Sequence, residues 1–379
     1  MSAPLGRAGV AAVSFGGRGG GLAYVARLVR AVCATWQGSE PWTAALDPAQ
    51  YGVVSPGERM RFAARVAAAQ LAGRVDWLAF NHLGIARVQR FVPASVRRPY
   101  VVFVHDVEAW DPAVPPDRLA TLRAAALRVA NSRYTADRVA EAHPSIGPVL
   151  ACPLGLLDHD PAMEGLDSGP AGLPGEIPGG VSLSPDLHEI GPSSVLILGR
   201  MHDEERYKGH DELLESWPAV VARVPGAQLV VAGLGNDVPR LQAKARALGV
   251  GHCVVFCGFL PRATLTALMG RIAVFAMPSA REGFGLVYLE AMRAGRPCIG
   301  STSDAAGDII VQGETGFLVD RADGPALSGA IVGLLTDGAR RAAMGEAGRK
   351  RFEAHFTADR FAARFRDILD TNPMIAHSR

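Results

Sequence analysis

The sequence of 379 residues lacks long hydrophobic runs and any paired set of cysteines. It contains no stretch of about 18 uninterrupted apolar residues, so we expect no membrane-spanning helix. Its five cysteines are scattered and odd in number. That pattern favours small buried apolar residues in a reducing compartment over a disulfide framework. The N-terminal apolar run is short and interrupted by glycines, unlike a secretory signal. A cytoplasmic protein is therefore expected.

An excess of charge of one sign is also absent from the chain as a whole, because the formal net charge is only +2. This balance predicts no nucleic-acid partner. The charge is uneven, however, since residues 1–155 hold 17 arginines and no lysine against 10 acidic residues. Arg59, Arg61 and Arg65 lie on one predicted helix. Two interpretations stay open: these arginines solvate helices, or they contact an acceptor or an anionic membrane, peripherally on its inner face.

Short apolar strands alternate with helical segments along both halves of the chain, which is typical of parallel α/β sheets. In the first half we predict strands over 10–15, 77–82, 100–106 and 149–155, and helices over 21–36, 57–73 and 117–130. In the second half we predict strands over 194–199, 227–233, 253–258, 272–278, 297–301 and 316–320. Helices are predicted there over 210–224, 238–249, 261–271 and 285–295, followed by two closing helices within 326–337 and 357–370.

A Gly- and Pro-rich stretch without periodicity separates the two halves and predicts a linker over 156–192. We therefore predict two doubly wound Rossmann-like domains, 1–155 and 193–355. The final segment, 356–379, is expected to be a helix that packs back on the first domain. Because ligands of such sheets bind beyond the carboxyl ends of the strands, a cleft that the two domains face is the expected site.

The segment "REGFGLVYLEAMRAGRPCIG" carries two acids, Glu282 and Glu290, at the head of an otherwise apolar helix. Gly283, Phe284 and Gly285 precede that helix, whose first amides have no internal partners and can approach a ligand closely. A carboxylate accepts hydrogen bonds from two vicinal hydroxyls, so a sugar suits each acid. The alternative is that Glu282 is a helix-terminal charge and Glu290 a surface residue. A lone acid in an apolar helix favours binding.

Two cations lie within the segment "LGRMHDEERYKGHDELLE", with Arg200 directly after a strand and Lys208 just before a helix. Fixed cations at the carboxyl end of a strand could bind a diphosphate. An exposed charged loop is the alternative, and we favour it for the residues between the two cations.

The first half offers weaker candidates. The run "GGRGGG", 16–21, lacks the spacing of a dinucleotide fingerprint or a P-loop, yet it could bring a ligand onto backbone amides. His105 ends a predicted strand, where a structural role and a substrate contact are both open. The triplet Asp158-His159-Asp160 is interpreted as part of a solvated linker rather than a metal site. The sequence contains no recognisable nucleophile motif.

Together these motifs resemble those of glycosyltransferase family 4, retaining enzymes with the two-domain GT-B fold. The resemblance is densest over 195–320, in "GFLPRATLTALM", "FAMPSAREGFGLVYLEAMRAGRPCI" and "GETGFLVD". Its most specific mark is the pair Glu282 and Glu290 around Gly-Phe-Gly. It implies a nucleotide-diphosphate sugar as co-substrate, no metal, and no other cofactor.

The resemblance also implies residue roles. Arg200 and Lys208 would bind the donor diphosphate, and Glu290 would bind the ribose hydroxyls. Glu282 would contact the donor sugar together with Gly283, Phe284, Gly285 and Leu286. The base would contact Gly258, Phe259 and Leu260. His105 would lie near the sugar, and the phosphates or the acceptor would face Gly16, Gly17 and Gly19.

The implied function is transfer of a hexose-type sugar, with retention, to a saccharide, a lipid-linked acceptor or a small molecule. Two alternatives remain at this point: a non-hydrolysing sugar-nucleotide epimerase, which shares the fold, and a catalytically silent partner in polysaccharide assembly. The presence of Glu282, Arg200 and Lys208 favours transfer.

Overall fold

The computed structural model describes residues 5–16, 20–47, 54–111, 113–160 and 190–376. The chain divides into two units, the first formed by Met1–Ala162 with Phe356–Arg379 and the second by Met163–His355. The predicted glycines Gly17 and Gly19, and most of the predicted linker, lie outside the described residues.

The first unit contains a six-stranded parallel sheet with the strand order β2-β1-β3-β4-β5-β6. Its strands are β1 Ala8–Ala12, β2 Trp42–Ala45, β3 Trp77–Phe80, β4 Tyr100–Val104, β5 Leu127–Ala130 and β6 Leu150–Ala151. Its helices are α1 Gly20–Gln37, α2 Pro56–Leu71, α3 Leu83–Ala86, α4 Val107–Trp110, α5 Pro116–Ala124 and α6 Arg133–Ala142. Strands β1, β3 and β4 are buried along their whole length, as their unbroken apolar runs predict.

The second unit contains another six-stranded parallel sheet, in the order β9-β8-β7-β10-β11-β12. Its strands are β7 Ser194–Leu198, β8 Gln228–Ala232, β9 Val254–Gly258, β10 Val274–Ala276, β11 Cys298–Ser301 and β12 Gly316–Val319. Its helices are α7 His210–Arg223, α8 Val238–Ala247, α9 Arg262–Arg271, α10 Leu286–Arg293, α11 Ala306–Ile309, α12 Gly324–Thr336 and α13 Gly338–His355. The predicted α/β class with a doubly wound parallel sheet in each half is confirmed.

The C-terminal residues return to the first unit as α14 Ala358–Asp370 and α15 Pro373–Ala376. Phe365 on α14 is fully buried and stacks on Trp36 at 5.8 Å between ring centroids. Gly155 makes this return possible, because a Cβ there would lie 2.2 Å from the carbonyl oxygen of Thr357.

Two sequence predictions of secondary structure were wrong. The helix predicted over 117–130 ends at Ala124, and residues Leu127–Ala130 form β5. Arg128 is buried within that strand because its guanidinium donates to the carbonyls of Leu122, Ala125 and Pro148. Two helices were predicted after β12, yet α13 lies between them as a third long helix.

The start of the predicted linker also differs from the expectation. Asp160 is buried rather than solvated, and its carboxylate forms an ion pair with the buried guanidinium of Arg27 at 2.8 Å. The same guanidinium donates to the carbonyls of Phe15 and Gly16. Residues up to Asp160 therefore pack as part of the first unit, because a buried carboxylate needs the charged partner that α1 supplies.

Candidate active site

The strand order of the second sheet reverses between β7 and β10, which are neighbours in the sheet but not along the chain. Ligands of open α/β sheets bind at such a switch point, beyond the carboxyl ends of the strands. Arg200 follows β7 there, and the segment 279–285 follows β10. The structure therefore brings two of the predicted constellations to adjacent strand ends.

Glycines let the backbone segments beyond these strands approach one another closely. A Cβ on Gly233 would lie 1.9 Å from the carbonyl oxygen of Gly199, and one on Gly235 would lie 1.8 Å from that of Met201. The amide of Met201 donates to the carbonyl of Leu234 at 2.8 Å. The backbone on both sides of Arg200 is therefore held against the segment that follows β8.

Lys208 and Glu282 form the central pair of the candidate site. The ammonium nitrogen of Lys208 lies 3.8 Å from a carboxylate oxygen of Glu282, and both side chains are partly buried. Lys208 ends the 3₁₀ helix Asp203–Lys208, and Gly209 follows it with a left-handed φ of +95°. A Cβ on Gly209 would lie 2.8 Å from Pro278, so only glycine allows this close approach to the end of β10.

The backbone also joins the two constellations directly. The amide of Ala280, two residues before Glu282, donates to the carbonyl of Tyr207, the residue before Lys208, at 2.9 Å. The backbone around Lys208 and the loop that carries Glu282 are therefore positioned together rather than by their side chains alone.

Helix α10 begins beside Glu282. Gly285 adopts a left-handed φ of +94°, and Phe284 is buried. In the described part of the chain, the amides of Gly285 and Leu286 donate to no acceptor, as expected for the first residues of a helix. Unpaired amides at a helix N-terminus favour an anionic or hydroxyl-bearing ligand.

Glu290 lies further along α10 and is half-buried. Burial raises the pKa of its carboxyl, and the positive charges of Arg262 and Arg293 partly offset that increase. Its carboxylate has no hydrogen bond or ion pair with any described residue. Arg262 opens α9, and only Pro261 separates it from the predicted base-contacting residues Gly258, Phe259 and Leu260. The segment predicted for the base therefore lies near the acid predicted for the ribose.

Gly258 ends β9 with a left-handed φ of +62°. Leu260 is buried, whereas the ring of Phe259 is partly exposed at 36%. An exposed aromatic ring beyond a strand end is a surface on which a base could stack.

Arg200 forms an ion pair in the structure that the sequence did not predict. Its guanidinium donates to Glu205 at 2.5 Å, and its side chain is 72% exposed. The carboxylate of Glu205 therefore competes with a phosphate for this guanidinium. Because the Arg200 side chain is flexible and exposed, breaking its ion pair with Glu205 costs little free energy.

The candidates in the first unit have structural partners. The Nε2 of His105 lies 2.6 Å from the carbonyl oxygen of Asn81, and burial lowers the pKa of His105 to about 4. A carbonyl only accepts, so Nε2 donates and Nδ1 is the ring atom left for a substrate. The amide of Gly16 donates to the hydroxyl of Ser14, and its carbonyl accepts from Arg27.

Sequence reasoning missed Asp304, which is 5% exposed and hydrogen-bonds the backbone of Glu282. Burial, with the nearby charge of Glu282, raises the pKa of Asp304 to about 7. The signal that could have found it is an acidic residue three positions after an apolar strand, at the end of the neighbouring strand β11.

Neither a metal cluster nor a membrane span occurs in the described residues. They contain no group of three or more His, Cys, Asp or Glu side chains suited to a metal ion. None of the described helices is long and apolar enough to cross a membrane.

Comparisons with known proteins find similar sequences and similar folds. Residues 191–351 match the family described as glycosyl transferases group 1. Over 173 residues the chain is 36% identical to a GDP-mannose-dependent monoacylated alpha-(1-6)-phosphatidylinositol monomannoside mannosyltransferase of Corynebacterium glutamicum, covering 44% of this chain and 45% of that protein. Over 149 residues it is 40% identical to a GDP-mannose-dependent alpha-(1-6)-phosphatidylinositol monomannoside mannosyltransferase of Mycolicibacterium smegmatis, covering 38% of this chain and 39% of that protein. The chain thus matches less than half the length of these curated relatives.

Solved structures resemble the chain over nearly its whole length. Anabaena HepE in complex with UDP superposes with a TM-score of 0.71 at 18% identity, covering 96% of this chain and 99% of that one. Sucrose-phosphate synthase of Thermosynechococcus elongatus gives a TM-score of 0.71 at 19% identity, covering 96% of this chain and 98% of that one. At such identities the likeness shows the fold alone. The similarity to the family described as glycosyl transferases group 1 lies in the second unit, where Arg200, Lys208 and Glu282 are found.

Proposed function

We propose that this protein is a retaining glycosyltransferase that moves a hexose-type sugar from a nucleotide-diphosphate donor to an acceptor hydroxyl, without a metal. The observation that carries the proposal is the Lys208–Glu282 pair, 3.8 Å apart beside the N-terminus of α10. A cation next to a carboxylate gives one group for a leaving phosphate and one for sugar hydroxyls. The names of the relatives make GDP-mannose the first donor to test, with a lipid-linked acceptor.

The chemistry balances without an enzymic nucleophile. The bond between the anomeric carbon and the diphosphate oxygen breaks, and the diphosphate departs with the electron pair. The acceptor hydroxyl attacks from the same face and gives its proton to the leaving phosphate. Lys208, and Arg200 after release from Glu205, stabilise the developing negative charge, which is the largest expected contribution to the rate.

The experiment is a screen for release of nucleoside diphosphate from GDP-mannose, UDP-glucose and UDP-N-acetylglucosamine, with and without acceptor lipids or saccharides, in the presence of a chelator. Transfer that survives the chelator supports metal-independent action. Conversion of the donor to its epimer without net release of nucleoside diphosphate would instead favour the epimerase alternative.

We propose in addition that the first unit contacts an anionic membrane surface through α2 and the 3₁₀ helix Arg87–Phe91. Met60, Leu71 and Phe91 are 69%, 61% and 83% exposed. Met60 and Leu71 are about three helical turns apart on α2 and share its outer face, whereas Phe62 and Val66 are buried on the opposite face.

Arginines surround these apolar side chains. Arg59, Arg61 and Arg65 are exposed on α2, and Arg90 is exposed next to Phe91. Exposed apolar residues beside cations are the pattern of a surface that lies in the interface of an anionic bilayer. The net charge of +7 over residues 1–155 also attracts this part of the chain to an anionic membrane at longer range.

A further inference from the structure

Asp304 occupies a position that sugar recognition alone does not explain. It follows β11, which neighbours β10 in the sheet, and its side chain is almost wholly buried. One of its carboxylate oxygens accepts from the amide of Glu282 at 3.3 Å, and the other accepts from the amide of Ala306 at 3.0 Å. A single side chain thus joins the loop after β10 to the first turn of α11.

The peptide backbone of Glu282 is held from both sides by this segment. While its amide donates to Asp304, its carbonyl accepts from the amide of Ala305 at 3.0 Å. The side chain of Ser279, at the start of the same loop, acts on Asp304 in the direction that lowers the pKa of its carboxyl. The backbone around Glu282 therefore has little freedom to rotate while all these hydrogen bonds are present.

We infer that Asp304 is a positioning residue: by binding the amides of Glu282 and Ala306 at once, its ionised carboxylate fixes the Glu282 carboxylate beside Lys208. This inference rests on the proposed function for its consequence in catalysis, but the positioning itself is independent of it. Asp304 acts through Glu282, so its loss weakens the handling of the donor sugar.

The geometry makes this positioning sensitive to pH. The charged group that faces Asp304 is Glu282, whose negative charge opposes its ionisation and which forms an ion pair with Lys208. Tyr288, packed beneath the loop, is buried and donates its hydroxyl to the carbonyl of Met277. Because the pKa of Asp304 is raised to about 7, the fully accepting carboxylate forms only as the pH rises through neutrality.

The test compares the intact protein with Asp304→Asn by amide hydrogen exchange over residues 279–306 and by donor kinetics. Asparagine keeps one acceptor but turns an N–H₂ group toward the second amide, so one of the two hydrogen bonds is lost. We expect exchange of the amides of Glu282 or Ala306 to accelerate about 10-fold. We expect the kcat of the variant to be lower by a similar factor. The kcat of the wild type should increase as the pH rises through about 7, whereas the kcat of the variant should not.

Ile309→Val is the matched control, because Ile309 is a fully buried core residue of α11. It lowers stability without touching the loop and should leave the pH profile and the exchange of Glu282 unchanged. If Asp304→Asn fails to fold, Ser279→Ala replaces it. Loss of that hydroxyl removes an influence that lowers the pKa of Asp304, so the midpoint of the pH profile should move to higher pH.

The two proposals fail separately. Unchanged exchange at Glu282 and Ala306 in Asp304→Asn overturns the positioning role whether or not the protein transfers sugar. In an active protein, a pH profile of kcat that follows the wild type overturns it as well. Accelerated exchange in a protein that releases no nucleoside diphosphate from any donor keeps the positioning role and removes the proposed function.

Discussion

The Lys208 ammonium lies 3.8 Å from the Glu282 carboxylate although the two residues come from different βα connections of the second sheet. Their approach depends on backbone features on each side: Gly209, which packs on Pro278, and the hydrogen bond from Ala280 to the carbonyl of Tyr207. The pair is therefore a product of the sheet's switch point and not of local sequence.

Removal of the positive charge at this pair should affect the donor phosphates. We expect Lys208→Met to lower kcat for donor turnover by about 100-fold, since a preorganised charge at the leaving group is lost. Lys350→Met is the matched control, because Lys350 also lies 3.8 Å from a glutamate, Glu346, but is 71% exposed on α13. Equal losses in the two variants would contradict the assigned role of Lys208.

Arg200 should become more available when Glu205 loses its charge. Because the two side chains are paired at 2.5 Å, Glu205→Gln removes a competitor for the donor diphosphate. We expect the affinity for GDP or UDP, measured by calorimetry, to increase by up to about 5-fold, the range of an exposed ion pair. Weaker binding in this variant would show instead that Glu205 holds Arg200 in its binding position.

Asp304 should also make the free energy of unfolding depend on pH. Its pKa is raised in the folded state from 3.8 to about 7, so its stabilising contribution is complete below about pH 4 and is lost as the pH rises toward 7. Glu108 in the first unit, whose pKa is also raised to about 7, acts in the same direction. The free energy of unfolding of the wild type should therefore fall between pH 5 and pH 8. The fall in Asp304→Asn should be smaller by at least about 1 kcal/mol. Denaturant titrations at both pH values measure the difference, and parallel curves would contradict the raised pKa.

Two helical glycines of the second unit should respond oppositely to alanine. A Cβ on Gly345 of α13 would lie 2.1 Å from the carbonyl oxygen of Gly295, whereas one on Gly329 of α12 would meet nothing within 4 Å. We expect Gly345→Ala to lower the free energy of unfolding by more than about 2 kcal/mol. Gly329→Ala should raise it by up to about 1 kcal/mol. Thermal unfolding of both variants checks the sign of each change in stability. A Gly345→Ala protein as stable as the wild type would contradict the close packing of Gly345 on Gly295.

The exposed apolar side chains of α2 and its neighbour should control membrane binding. We expect the protein to sediment with vesicles containing anionic phospholipid at low salt and to be released at high salt. Phe91→Asp together with Met60→Asp should abolish sedimentation, because both side chains are exposed at the proposed surface. Met374→Asp changes a methionine of similar exposure elsewhere in the first unit and should bind like the wild type. Absence of binding by the wild type at low salt would remove the proposal.

Sequence patterns predicted most of the second sheet because its strands are short apolar runs bounded by glycine or charge. They failed where tertiary contacts override local preference. The helix α13 escaped detection since Gly345 and Gly348 weaken its pattern, yet Gly345 is there to admit the backbone of Gly295. The strand β5 was mistaken for helix because a buried Arg128 is unusual in a strand, and the carbonyls of Leu122 and Pro148 that satisfy it lie outside the strand.

Part of the candidate site could also be predicted from the sequence, and part could not. Motif spacing placed Lys208 and Glu282 each beyond the carboxyl end of a strand, where ligands of a parallel α/β sheet bind. The pairing of Arg27 with Asp160, 133 positions apart, and the contact of Asp304 with Glu282 have no local signal. Both are buried charges whose partners are known only once the chain has folded.

The most direct test of the account is transfer from GDP-mannose and UDP-sugars by three proteins: the wild type, Glu282→Gln and Glu346→Gln. Glu282 lies beside Lys208 in the candidate site, whereas Glu346 forms its ion pairs on the exposed surface of α13. We predict transfer by the wild type and by Glu346→Gln, with a loss of at least about 100-fold in Glu282→Gln. Transfer by Glu282→Gln at the wild-type rate would contradict the central claim that this carboxylate serves the donor sugar.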